Sequence, residues 1–185
     1  MTFCSSAKDT VFYALLLSIL GNSMSTIHFV HGKESGPWGT KISFLADIAR
    51  NQGLSVESLD YSDLSSPLDR AKRLVGACEN DPPLMLVGSS MGGWVATAAS
   101  TFLPVEAVLL LAPAFYMSGY TEIAPGNGVI EIVHGWKDEV IPFENSVRFA
   151  REWGCTLHLV EDDHRLSNRL DLIGEYFSSL IQRVL

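Results

Sequence analysis

Basic residues are few in this sequence, and they form no cluster. Acidic side chains outnumber lysine and arginine by 21 to 13, which gives a formal net charge of −8. A protein that follows nucleic-acid phosphates needs concentrated positive charge on one surface. The charge distribution therefore argues against nucleic acid as a partner.

Cysteine is also scarce. The three cysteines, Cys4, Cys78 and Cys155, lie far apart and are odd in number. They form neither a C-x-x-C pair nor a zinc-ligand spacing with histidine. Reduced thiols in a cytoplasmic protein are the interpretation that we favour. We expect no bound metal and no organic cofactor.

No hydrophobic run reaches the 20 or so residues that a membrane-spanning helix needs. Residues 11–20, VFYALLLSIL, are an apolar run of half that length. The run has the length of a signal-peptide core, but no A-x-A cleavage site follows it. We interpret residues 1–23 as an N-terminal extension without a catalytic part. The alternatives are a weak signal or anchor, with export of the protein, and an upstream stretch before a functional start at Met24.

Residues 24–185 have the length and composition of one globular domain. Short apolar runs alternate there with helical patterns, which predicts an α/β fold with a mostly parallel sheet and helices on both faces. Six strands are predicted, at residues 26–30, 56–59, 84–87, 105–111, 129–133 and 156–160. Helices are predicted at residues 39–52, 67–78, 91–102, 142–154 and 166–184.

Residues 88–92, GSSMG, match the G-x-S-x-G pattern of a nucleophile elbow. An apolar strand precedes the pattern and a helix follows it, so Ser90 would lie at a helix N-terminus where backbone N–H groups face developing negative charge. A phosphate-binding loop would need lysine where Trp94 stands, and G-x-G-x-x-G is absent. A purely structural strand-to-helix turn is the other interpretation of these glycines.

A serine nucleophile needs a base, and the base needs an orienting acid. In α/β folds with a nucleophile elbow, the acid and then the histidine follow the serine along the chain, and both lie in loops after later strands. Asp138 follows the fifth predicted strand and His164 follows the sixth. Glu139, Asp162 and Asp163 compete with Asp138 for the role of acid. The remaining histidines, at positions 28, 31, 134 and 158, are interpreted as structural.

The backbone N–H of Met91, which follows the nucleophile, is one expected oxyanion donor. The other is the N–H of Lys33, in the loop after the first strand. Between the fourth and fifth strands only residues 112–128 remain, too few for a cap domain, so the site should be open. Phe115, Tyr116 and Met117 in that stretch are candidate acyl contacts, or they pack against the edge of the sheet.

With these motifs the sequence resembles the small α/β-hydrolase-fold serine esterases and thioesterases. It is particularly similar to the abhydrolase-domain acyl-protein thioesterase and acyl-glucuronide esterase group, and to small bacterial esterases. The segments that carry the resemblance are HG at 31–32 with SG at 35–36, GSSMGGW at 88–94, HG at 134–135 with Asp138, and DHRLS at 163–167. Lys33 replaces an apolar residue often found in the family, which bears on substrate preference more than on mechanism.

The resemblance implies hydrolysis of a carboxylic ester or thioester through an acyl-enzyme, by Ser90, Asp138 and His164. The expected substrate is a small-molecule acyl ester or thioester, or an acylated protein. A peptidase or lactone hydrolase with the same triad is the first alternative. A non-catalytic binding module is the second, and an intact triad argues against it.

Overall fold

The computed structural model describes residues 25–185, and the predicted extension at residues 1–23 lies outside them. The strands are β1 (Thr26–Val30), β2 (Ser55–Ser58), β3 (Met85–Ser89), β4 (Ala107–Leu111), β5 (Val129–Gly135) and β6 (Thr156–Val160). The α-helices are α1 (Thr40–Asn51), α2 (Pro67–Cys78), α3 (Met91–Ala99), α4 (Phe143–Trp153) and α5 (Leu170–Val184), and a short 3₁₀ turn (Ser167–Arg169) precedes α5.

The six strands form one sheet in the order β2-β1-β3-β4-β5-β6. Every neighbouring pair is parallel. The carboxyl ends of β1, β3, β5 and β6 therefore meet at one edge of the sheet, which is where open α/β sheets bind ligands. The predicted fold class is confirmed, and the sheet is parallel throughout.

Helices cover both faces of the sheet, and its two central strands, β3 and β4, are accordingly rich in apolar residues. Helices α1 and α5 pack on one face, where Leu45 and Phe177 are fully buried. Helices α2, α3 and α4 pack on the other, where Leu74, Val95 and Phe149 are buried. All five residues of β3 and of β4 are buried. The turn that contains Ser90 therefore begins from a fully buried strand.

Several element ends differ from the predicted ones. Strand β3 continues through Ser89 because that residue still pairs with Leu111 of β4. Helix α3 ends at Ala99, not at residue 102, and β4 begins at Ala107, not at residue 105. The last helix begins at Leu170, because Leu166 has a positive φ of 56° and the 3₁₀ turn intervenes. Strand β2 begins and ends one residue early, and β5 runs two residues further.

No cap domain lies between β4 and β5 in the described chain, where residues 112–128 form a single loop. Two hydrogen bonds hold this loop against α3 and the turn after it, from Trp94 Nε1 to the Thr121 carbonyl (2.9 Å) and from the Gly126 N–H to Ser100 Oγ (2.9 Å). The carboxyl edge of the sheet is left uncovered by any inserted helix. Within residues 25–185, no helix combines the length and the apolar character needed to cross a membrane.

Candidate active site

Ser90 lies in the turn between β3 and α3 with φ 56° and ψ −121°, a conformation that non-glycine residues rarely adopt. Such a residue costs about 1–3 kcal/mol and persists only where its surroundings enforce it. Here the Ser90 N–H donates to the Leu111 carbonyl (2.9 Å), and the Ser90 carbonyl accepts from the N–H of Ala114 (3.0 Å). Strand β4 and the loop after it therefore hold the strained turn in place.

The glycines around Ser90 are required because other backbone approaches closely. A Cβ added to Gly92 would overlap the carbonyl oxygen of Val30 and lie 2.7 Å from that of His31. A Cβ added to Gly88 would overlap the backbone of Gly92. The G-x-S-x-G spacing thus lets the loop after β1 pass directly beside the start of α3.

The loop that carries His164 follows β6 and is organised by the buried carboxylate of Asp162. This side chain accepts hydrogen bonds from the Asn168 N–H (2.8 Å), the Asn168 side-chain amide (2.9 Å) and the Asp163 N–H (2.8 Å). The Asp162 carbonyl in turn accepts from the N–H of Lys137 (3.0 Å). The loops after β5 and β6 are therefore joined, which brings Asp138 and His164 together.

Three predicted residues form one hydrogen-bonded series. His164 Nδ1 lies 2.7 Å from Asp138 Oδ2, and His164 Nε2 lies 3.1 Å from Ser90 Oγ. A carboxylate only accepts, so Nδ1 carries the proton and Nε2 presents a lone pair to the serine hydroxyl. The Asp138 side chain is fully buried, and that of His164 is 20% exposed. This arrangement can remove a proton from Ser90 and stabilise the imidazolium that forms.

All the acceptor positions of Asp138 are used. Oδ1 accepts from the N–H groups of Val140 (2.9 Å) and Ile141 (2.8 Å), and Oδ2 accepts from His164 and His134. Burial raises the pKa of Asp138, but the hydrogen bonds from His134 and His164, with those from the two backbone groups, outweigh it. The pKa of Asp138 therefore lies well below its usual value, and the side chain is a carboxylate at neutral pH.

The other carboxylates considered from the sequence lie elsewhere. Glu139 and Asp163 are exposed, and Asp163 accepts a hydrogen bond from the Arg165 N–H (2.8 Å). Asp162 is buried but faces Asn168. Among the four candidates, the structure places only Asp138 against the imidazole of His164.

His134 has a closer relation to the site than the sequence interpretation gave it. Its Nε2–H donates to Asp138 Oδ2 (2.9 Å), and its Nδ1 accepts from Ser146 Oγ of α4 (2.7 Å). The ring is fully buried and helps to orient the carboxylate that holds His164. The four-residue spacing between His134 and Asp138, across a turn at the end of β5, is the signal that could have indicated this contact.

Lys41, on the first turn of α1, is a second residue near the site that the sequence analysis did not single out. Its ammonium donates to the carbonyl of His164 at 3.4 Å. Burial lowers the pKa of Lys41 to about 8, although the charges of Asp138, Asp163 and Asp162 act in the opposite direction. The contact spans 123 residues of sequence, and no local pattern indicates it.

The two expected oxyanion donors belong to segments that adjoin Ser90: Met91 follows it in sequence, and Lys33 follows Gly32 in the loop after β1. A Cβ on Gly32 would lie 3.3 Å from the Cβ of Ser90, so the loop after β1 passes within contact distance of Ser90. In the described part of the chain, the backbone N–H groups of Lys33 and Met91 make no hydrogen bond. Their role as oxyanion donors stays a prediction.

The three candidate acyl contacts have different environments. Phe115 is only 2% exposed and stacks on Phe149 of α4 with ring centroids 3.9 Å apart, so its packing favours the structural interpretation. Tyr116 is half-buried, with its hydroxyl donating to Glu152 (2.8 Å). Met117 is half-buried beside Asn145. Contact of Tyr116 or Met117 with an acyl group stays a prediction.

Residues 25–185 contain no grouping of three or more histidine, cysteine, aspartate or glutamate side chains arranged to hold a metal ion.

The parallel sheet, the strained serine turn after β3 and the residues at the ends of β5 and β6 place the chain in the α/β-hydrolase superfamily. Residues 26–122 match the model of UPF0227, described as an uncharacterised protein family, and the chain belongs to that family. A solved structure from Xanthomonas campestris pv. campestris, assigned to the hydrolases of the alpha/beta superfamily, is 30% identical to it. That alignment covers 86% of this chain and 98% of the other, with a TM-score of 0.81.

More distant structures share the fold. Est1E from Butyrivibrio proteoclasticus has a TM-score of 0.74 at 16% identity, with 89% of each chain covered. Alpha/beta hydrolase domain-containing protein 10 from mouse has a TM-score of 0.71 at 19% identity, covering 86% of this chain and 90% of that one. The resemblance seen in the sequence is thus confirmed at the level of the superfamily. No curated protein matches the chain.

Proposed function

We propose that this protein is a serine hydrolase that cleaves carboxylic esters or thioesters through an acyl-enzyme. Ser90 is the nucleophile, His164 the general base and Asp138 the orienting acid. The observation that carries the proposal is the series from Ser90 Oγ to His164 Nε2 (3.1 Å) and from His164 Nδ1 to Asp138 Oδ2 (2.7 Å). Such a series activates a serine hydroxyl at neutral pH.

In the first half-reaction Ser90 Oγ attacks the acyl carbon while His164 Nε2 accepts its proton. The carbonyl oxygen becomes an oxyanion, which the N–H groups of Met91 and Lys33 bind. His164 then gives the proton to the departing alcohol or thiol, leaving the acyl group on Ser90. In the second half-reaction a water attacks the acyl-enzyme by the same route, and the carboxylic acid leaves.

Two features bear on the substrate. The loop at residues 112–128 leaves the carboxyl edge without a cap, so a bulky leaving group can reach a half-buried Ser90. The solved relatives include Est1E, one structure of which holds ferulic acid. Small acyl esters and thioesters are the proposed substrates, with acylated proteins as the larger form of the same chemistry. Membership of the acyl-protein thioesterase group is part of this proposal.

Peptide and lactone hydrolysis use the same residues and differ only in the leaving group. A binding module without catalysis would have no use for the strain at Ser90, which costs stability and serves to present the hydroxyl. We also propose that residues 24–185 form the catalytic domain and that the protein acts in the cytoplasm.

The test is labelling by a fluorophosphonate probe, followed by hydrolysis of esters, thioesters, amides and lactones of matched acyl chain length. Ser90→Ala should abolish labelling and lower kcat by about 10⁶ while the protein stays folded. Ser89→Ala is the matched control, because Ser89 adjoins the nucleophile in β3. Labelling that persists in Ser90→Ala would show that the nucleophile is misassigned. An unlabelled wild type without activity on any substrate class would contradict catalysis itself.

A further inference from the structure

Arg70 of α2 is a buried cation that contacts the loop after β1. The residue is 2% exposed. Its Nε donates to the Leu64 carbonyl (2.7 Å), and Nη1 donates to the carbonyls of Gly32 (3.1 Å) and His31 (3.4 Å). Its guanidinium carbon lies 5.7 Å from the ring centroid of Tyr61. Within residues 25–185, Arg70 forms no ion pair with a carboxylate. The charge is therefore compensated by backbone carbonyls, two of which belong to one loop.

The Gly32 carbonyl has a second donor, the imidazole of His31. His31 Nε2 accepts a hydrogen bond from the Tyr61 N–H (3.0 Å), so the ring proton resides on Nδ1 in the neutral imidazole. Nδ1 lies 2.7 Å from the Gly32 carbonyl and donates to it. Burial lowers the pKa of His31, which favours this neutral form. Arg70 and His31 together hold one carbonyl oxygen in a fixed direction.

That carbonyl belongs to the peptide unit whose N–H is the expected second oxyanion donor. The described chain has no cis peptide bond, and in a trans peptide the C=O and the N–H point in opposite directions. Holding the Gly32 carbonyl toward Arg70 therefore turns the Lys33 N–H away from Arg70. Glycine at position 32 allows this peptide to rotate more freely than another residue would. A rotated peptide would present a carbonyl oxygen in place of a donor and would repel an oxyanion.

We propose that Arg70 is a positioning residue that holds the Gly32–Lys33 peptide in the orientation needed for an oxyanion hole. The guanidinium acts through that peptide without touching the substrate, and its charge also polarises the peptide so that the Lys33 N–H is a stronger donor. The inference rests on the proposed function, since it concerns the transition state of the same reaction. A role limited to joining α2 to the sheet is the competing explanation.

The test compares Arg70→Met with Arg73→Met. Arg73 lies one turn further along α2 and binds Asp63 and the Asp60 carbonyl, away from the loop after β1. Losing one oxyanion donor costs about 10²–10³ in kcat. We expect a fall of about 10² in kcat for Arg70→Met, with little change in KM, because the donor acts mainly in the transition state. Arg73→Met should keep the kcat of the wild type. Arg70→Lys keeps a cationic donor for the Gly32 carbonyl and should recover part of the loss.

A second measurement follows the Lys33 N–H by NMR, and it can be made even if Arg70→Met does not fold. The ¹⁵N–¹H resonance of Lys33 should move downfield when an alkyl boronic acid forms its Ser90 adduct in the wild type. The shift should be smaller in Arg70→Lys. An equal shift in both proteins, or an Arg70→Met enzyme with wild-type kcat, overturns the inference while leaving the proposed function intact. A wild type that hydrolyses no substrate of the panel overturns both.

Discussion

Replacing Asp138 by asparagine removes acceptor capacity from a carboxylate that accepts four hydrogen bonds. Oδ1 receives the N–H groups of Val140 and Ile141, and Oδ2 receives His164 Nδ1 and His134 Nε2. The asparagine side chain has one oxygen, which can accept from two of these donors, and one NH₂ group. That NH₂ group must then point at the other two donors, with which it cannot form a hydrogen bond. No rotation of the side chain avoids this conflict.

The magnitude follows from which donors are lost. If the NH₂ group faces His164, it donates to Nδ1 and forces the ring proton onto Nε2, which then cannot accept the proton of Ser90. The corresponding change in a serine protease lowers kcat by about 10⁴, and we expect a similar loss here. Hydrogen bonds to a charged group contribute about 1.5–3 kcal/mol each, so losing two should lower the free energy of unfolding by about 3–6 kcal/mol. The side chain of Asp138 is fully buried, so water cannot replace the lost partners.

The assay is hydrolysis of p-nitrophenyl acetate together with urea unfolding, for Asp138→Asn and two isosteric controls. The controls are Asp163→Asn and Glu139→Gln. Asp163 adjoins His164 in sequence and Glu139 adjoins Asp138, but both of these side chains are exposed. The controls should keep the stability and most of the activity of the wild type. If Asp138→Asn retains more than about a tenth of the wild-type kcat, Asp138 does not fix the tautomer of His164 and the acid is misassigned.

Two further predictions concern stability. Burial lowers the pKa of His28 from 6.5 to about 4, so between these values the unfolded chain binds a proton that the folded chain does not, and stability falls as the pH falls through that window. His28→Leu should reduce this loss by on the order of 3 kcal/mol in urea unfolding at pH 7 and pH 4, and an unchanged pH dependence would contradict it. Gly92→Ala places a Cβ on the Val30 carbonyl and should lower the free energy of unfolding by about 3 kcal/mol, with loss of activity. In the control Gly76→Ala, on the exposed side of α2, the added Cβ meets nothing within 4 Å, and the change should stabilise the protein by about 0.5–1 kcal/mol. A similar melting temperature for the two variants would refute the packing argument.

The sequence alone predicted the six strands, their alternation with helices and the turn that contains Ser90. These features depend on local chemistry: apolar runs, helical spacing, and glycines two residues on either side of a serine. Because the carboxyl ends of parallel strands share one edge of the sheet, the positions of Asp138 and His164 after β5 and β6 also predicted that they would meet Ser90. The ends of the elements were less accurate, since pairing with a neighbouring strand extends β3 to Ser89.

Only the tertiary structure decided which partners surround these residues. The contact of Arg70 with Gly32 spans 38 residues, and that of Lys41 with the His164 carbonyl spans 123. The stacking that buries Phe115 depends on where α4 lies against the loop after β4. None of these contacts has a periodicity or a motif, because each depends on how two helices or loops pack across the sheet. Local pattern specifies which elements form, whereas the packing of one element on another fixes the direction of a buried polar group.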